Sequence, residues 1–107
     1  HKKIGVDIEK IDHKILKLFT KFMNDHEIAE AEINNPHHLH YYWGAKESVF
    51  KLHSIGNLDF KKNIYISPYP SFEKENTCAK LLMGDVIQEI RIFQTQIDNY
   101  MFVCAIE

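Results

Sequence analysis

Ile4-Gly5-Val6-Asp7-Ile8-Glu9 and, further along, Trp43-Gly44-Ala45-Lys46-Glu47-Ser48-Val49-Phe50-Lys51 decide how this chain is read. The first stretch alternates apolar and non-apolar residues, the signature of a strand. Side chains on a strand repeat with period two, so Asp7 and Glu9 point to the same side. The second stretch falls on a predicted helix, with Glu47 and Lys51 at i, i+4. Such a pair alone reads as a surface contact contributing a few tenths of a kcal/mol. Trp43, one turn before Glu47, and Phe50, one turn after, put large aromatics on roughly the same face. A carboxylate among such neighbours is costly to bury unless something positive compensates it. Three acids and two lysines suit magnesium, a cation that favours hard oxygen ligands and keeps substrate phosphates in its shell. The plainer alternative is a pair of solvated acids on one strand and a solvated Glu–Lys contact on one helix.

Working outward, Asp12 is a good N-cap, with Ile11 and Leu16 placed as a hydrophobic staple. Ile15, Leu16, Phe19, Phe22 and Met23 then follow at helical spacing. Asn24-Asp25 breaks that helix and starts a short second one over 26–33. Asn35-Pro36 reads as N-cap and first helical residue of the third and most important helix. It runs to about Ser54 and stops near Gly56. Strands are predicted over 63–67, 79–83, 87–94 and 100–106, with a turn at Gly84-Asp85 and a polar loop over 68–76. One strand, three helices and then consecutive strands (β-α-α-α-β-β-β) predict an α+β fold, a largely antiparallel sheet packed against helices.

The 107 residues fit one domain, 1–107, long enough for a single core. An apolar fraction of 45% with 26% charged residues is that of an ordinary globular chain. The net charge of −2 advertises neither nucleic acid nor an anionic membrane. Lys2, Lys3, Lys10, Lys14, Lys17 and Lys21 crowd the first fifth of the chain and read as a solvated face. Cys78 and Cys104 are too few and too distant for a disulfide framework or a zinc site, and Cys104 reads as a small buried thiol. His37, His38 and His40 cluster without further ligands for zinc, so exposed histidines are expected. Tyr41, Tyr42, Phe60, Tyr65, Tyr69 and Phe72 lack an accompanying basic stripe and read as core rather than as base-stacking platforms. No membrane-spanning stretch or signal peptide is visible, which predicts a cytoplasmic protein. The chain opens on His1 rather than Met, as a piece of a longer protein would.

Gly5-Val6-Asp7-Ile8-Glu9 together with Trp43-x-x-Lys46-Glu47-Ser48-x-x-Lys51 resembles the 4′-phosphopantetheinyl transferases, over essentially the whole chain. Trp43 and the Asp-Ile-Glu form resemble the surfactin-synthetase-activating (Sfp) type more than the small trimeric acyl-carrier-protein synthases. Those usually carry Phe at the position of Trp43 and lack an acid at that of Glu9. The resemblance implies magnesium-dependent transfer of 4′-phosphopantetheine from coenzyme A to a serine of an apo carrier protein, releasing 3′,5′-ADP. It implies that Asp7, Glu9 and Glu47 hold the metal against the coenzyme A pyrophosphate. It also implies that Lys46 and Lys51 contact phosphates or assist proton transfer, and that Glu47 accepts the serine proton. Sfp-type enzymes have two similar halves, and the first carries a Ser-His-Ser-like segment that this chain lacks. The chain therefore resembles a C-terminal half, whose site needs an N-terminal half or a homo-oligomeric copy. Two other readings stay open: a non-catalytic half-domain that binds a carrier protein, and a magnesium-dependent enzyme acting on another nucleotide.

Overall fold

The computed structural model describes residues 2–53, 56–69 and 76–107. Strand β1, Ile4–Lys10, leads through two short 3-10 turns, His13–Lys17 and Phe19–Lys21, to helices α1, Asp25–Glu30, and α2, Pro36–His53. Four strands follow: β2 (Ile64–Ile66), β3 (Asn76–Met83), β4 (Val86–Ile97) and β5 (Tyr100–Ile106). They form one sheet in the order β1-β5-β4-β3-β2, with every neighbouring pair antiparallel. The α+β architecture with an antiparallel sheet is the one the sequence predicts.

The first strand returns to the last. β1 pairs with β5 from Ile4 opposite Ile106 to Lys10 opposite Tyr100, so the carboxylate-bearing strand forms a sheet edge. Helix α2 crosses one face and seals the core. Its Leu39, Tyr41, Tyr42, Ala45 and Val49 are fully buried, as are Ile64, Ile66, Ile90, Ile92 and Met101 from the sheet. Asn35 caps α2 through the His37 amide, as the Asn-Pro signature predicts. The turn at Gly84-Asp85 joins the paired Met83 and Val86, and Gly84 has φ of +63°, a conformation natural to glycine.

Several expectations change. The segment after Asp12 is not an α-helix. Its amides bond three residues back, Leu18 to Ile15 and Lys21 to Leu18, and Asp12 caps the first turn at Lys14. Apolar residues spaced by three and four satisfy a 3-10 turn as well as an α-helix, so the pattern could not separate them. Ile15 and Phe22 still reach the core. Helix α1 ends early because Ala31 turns extended. Of the clustered histidines only His37 is exposed. His38 stacks on Tyr69, and His40 is buried, its Nε2 accepting the Asp12 amide at 2.9 Å. Cys104 is half-exposed rather than buried, because Val103 and Ala105 take the inward positions beside it. Ser54, Phe72 and most of the 68–76 loop lie outside the described residues.

Strand β1 reverses the usual arrangement of a half-buried strand. Its inward positions are Gly5, Asp7 and Glu9, while Ile4, Val6 and Ile8 face away from α2 with 59%, 50% and 54% of their surface exposed. Half-exposed Ile106, Cys104 and Phe102 of β5 stand opposite them on that outer face. Antiparallel sheets normally turn the apolar set toward the core.

Candidate functional site

Two glycines bring α2 onto β1. A Cβ on Gly5 would collide with the Ser48 carbonyl oxygen and lie 2.8 Å from the Leu52 nitrogen. A Cβ on Gly44 would meet Val103 Cγ2 at 2.7 Å. Only glycine fits either contact, and the helix backbone therefore lies directly on the strand edge. The Ser48 hydroxyl, 2.7 Å from Gly44 O and 3.1 Å from Val103 O, pins the same turn of the helix to β5.

This approach places Asp7 beneath α2, with 5% of its surface exposed. Its Oδ1 accepts from Lys51 Nζ at 2.9 Å, and that ammonium also donates to Val6 O at 3.1 Å. Its Oδ2, lodged near Gly44, is buried without a hydrogen-bond partner among the described residues. Glu9, two residues on, stands close enough to share a proton with Asp7. Desolvation, that hydrogen bond and the charges of Asp7 and Glu47 push the Glu9 carboxyl up to about 7, against a smaller lowering by the Trp43 side chain. With both acids ionised Asp7 Oδ2 has no donor; a proton between them, or a cation, satisfies it. The Glu47 carboxyl is also raised, first by burial and then by Asp7, while Lys51 pulls it down. Lys51 is raised in turn by its hydrogen bond to Asp7.

Asp7, Glu9, Glu47 and Lys51 thus come together. As the side chains stand, no group of three or more His, Cys, Asp or Glu is arranged to hold a metal ion among the described residues. The donor chemistry nevertheless suits a hard cation: carboxylate oxygens, one of them buried and unpartnered, with a single lysine against three acids.

Lys46 does not join them. Its side chain is fully buried on the other flank of α2 and pairs with Glu27 at 2.8 Å. Its ammonium also donates to Phe60 O and Ile64 O, which occupies all three of its donors. Burial pushes the Lys46 ammonium down, and Glu27 opposes that shift. Glu27 accepts in turn from the Asn24 amide at 2.9 Å and the Ile66 amide at 2.7 Å. The sequence reading missed Glu27. Asn24-x-x-Glu27 is a capping-box signature that marks its local role, and the capping box is present. Nothing local announces its reach to Lys46.

Beside the acids opens a cavity of about 570 Å³. Ile15, Leu18, Phe22, Trp43 and Phe60 make its lining mostly apolar, Glu9 lies at its edge, and the exposed Lys10, Lys14 and Lys21 border it. Trp43 packs between Phe22 and Phe60, with ring centroids 4.9 and 5.7 Å away. No helix among the described residues is long and apolar enough to cross a membrane.

The family model of the 4′-phosphopantetheinyl transferase superfamily matches residues 3–98. The chain belongs to that superfamily. The matched stretch contains β1, both helices and the first three strands after them, and so includes every acid and lysine of the site. No curated protein matches the chain. Membership supports a transferase, with coenzyme A and a carrier protein as the partners general to the family.

Proposed function

We propose that the chain is the C-terminal half of an Sfp-type enzyme that transfers 4′-phosphopantetheine from coenzyme A to a carrier-protein serine in the cytoplasm. The observation that carries this reading is the unpartnered Oδ2 of Asp7, buried beside Gly44 in the middle of α2, with the charge of Asp7 acting on both Glu9 and Glu47. Asp7, Glu9 and Glu47 would hold magnesium, the last two by turning their longer side chains toward Asp7. Bound there, the metal would supply positive charge to the pyrophosphate oxygens of coenzyme A.

The remaining work falls to the chain's own groups. Glu47, its carboxyl raised by burial and by Asp7, is suited to take the proton of the attacking serine. The bond from serine Oγ to the β-phosphorus forms as the bond to 3′,5′-ADP breaks. Lys51 makes two hydrogen bonds among the described residues and keeps one donor for a phosphate oxygen. The apolar cavity with its lysine border fits a partner that brings both apolar and acidic surface.

The site is open without a second half. A half built to pair should leave an apolar patch, and one lies on the outer sheet face, at Ile4, Val6 and Ile8. Such patches are uncommon on free-standing domains. We assign it to the N-terminal half of the same enzyme, and sedimentation of this segment would reveal a second copy in its place.

Mass spectrometry of an apo carrier protein tests the reading. Incubation with coenzyme A, magnesium and the completed enzyme should add one phosphopantetheine, and chelator or Asp7→Ala should abolish the addition. Undiminished transfer by the Asp7→Ala enzyme would overturn it.

A further inference from the structure

Lys46 and Glu47 are neighbours in sequence, yet their side chains lie about 100° apart around α2. One enters the core and the other faces the acids. On the far side of Glu47, Gly44 and Ser48 fix the helix against β1 and β5. On the near side, the Lys46 ammonium is held by Glu27 of α1, the Phe60 carbonyl and the Ile64 carbonyl of β2. Glu27 adds a bond to the Ile66 amide. One buried pair therefore ties α1, α2, the loop before β2 and β2 itself. We propose that Glu27 and Lys46 are positioning residues: their buried pair sets the rotation of α2 that aims Glu47 at Asp7 and seats Phe60 beneath Trp43.

The inference rests on the proposed transferase site and removes from it the phosphate contact that the family resemblance assigns to Lys46. Three arguments carry it. The ammonium has no donor left for a phosphate. Its path to solvent is closed, since neither side chain of the pair exposes any surface. An apolar pair of similar size would fill the same space at no loss of stability, and often with a gain, so burial alone does not account for two charges there. What the ion pair adds is direction: an ammonium with three fixed acceptors accepts one helix rotation, whereas methylenes accept several. Phe60 transmits the constraint, because its ring packs on Trp43 and on Phe50 on either side of Glu47.

The test compares the wild-type chain with Glu27→Leu/Lys46→Met. The single variants leave a buried charge unpaired and can fail to fold; the double variant removes both charges and keeps the volume. Three readouts are taken. Calorimetric titration with magnesium should show affinity falling by about tenfold or more in the double variant, the range typical when partners that orient metal ligands are lost. In the completed enzyme kcat should fall by a similar factor, with KM for coenzyme A unchanged. A nuclear Overhauser contact between the Trp43 indole and the Glu9 side chain should weaken. A folded double variant with wild-type magnesium affinity, kcat and Overhauser contact would overturn the inference, and so would a raised KM with kcat intact, the mark of a lost phosphate contact. If the wild-type chain takes up no magnesium, the transferase site fails instead. The Overhauser contact then decides the positioning role alone.

Discussion

Helix α2 holds two buried electrostatic arrangements side by side. Glu27 and Lys46 are fully enclosed, and every donor and acceptor at their heads finds a partner. Asp7, Glu9 and Glu47 are worse served: one oxygen is orphaned, and burial together with the charge of Asp7 raises the carboxyls of Glu9 and Glu47. The satisfied pair resembles masonry, stable as it stands. The acid cluster is incomplete without a proton or a cation, and that incompleteness is what the proposed metal site rests on. Buried charge by itself does not mark a candidate site; a buried charge left without its partner does.

The sharpest way to break this contrast is to unpair the satisfied side. Lys46→Met alone should cost about 3–5 kcal/mol in denaturant unfolding, since it strands the Glu27 carboxylate in the core. A loss below 1 kcal/mol would mean that Glu27 reaches water after all. Next in size is the glycine that brings the two arrangements onto one helix. Gly5→Ala should destabilise by about 1–3 kcal/mol or more through overpacking, and should weaken magnesium binding along with the fold. A neutral Gly5→Ala would show that α2 can lift off β1 freely.

The acid side should behave in the opposite sense. Glu9 has its carboxyl raised, so the fold favours its protonated form. The stability this contributes is fully present below the ordinary carboxyl value of 4.5 and is lost as pH rises through about 7. The metal-free chain should therefore melt at progressively lower temperature across that window. Magnesium should cancel part of the loss at the alkaline end. A melting temperature that climbs with pH over the same window would refute the arrangement. The smallest effect belongs to Asp7→Asn. Replacing a carboxylate crowded by two others should leave the metal-free stability within about 1 kcal/mol of wild type, because the ion pair it weakens is with the half-exposed Lys51. Transfer activity should nonetheless disappear.

Much of this was legible in the residues. Alternation placed Asp7 and Glu9 on one side of a strand, Asn35-Pro36 marked the start of α2, and Tyr100–Ile106 was read with its true bounds. Those signals are local, set by backbone period and capping chemistry. The 3-10 turns after Asp12 were missed because spacings of three and four serve both helix types. Lys46 was placed with the phosphates because it neighbours Glu47 in a recognised string, and position in a string does not say which way a helix faces. His40 looked exposed in a polar run, but the Asp12 amide, far away in sequence, gives its ring a buried partner.

The sequence by itself determined the first and last strands, the long helix α2, the antiparallel α+β class and the family, since period and caps are written in neighbouring positions. Only the tertiary structure decided which charges pair in the core and which gather around Asp7. That division depends on how α2 is rotated against the sheet, and the rotation is set by contacts between residues distant in the chain: Gly5 against Ser48, Gly44 against Val103, and Lys46 against Glu27, Phe60 and Ile64.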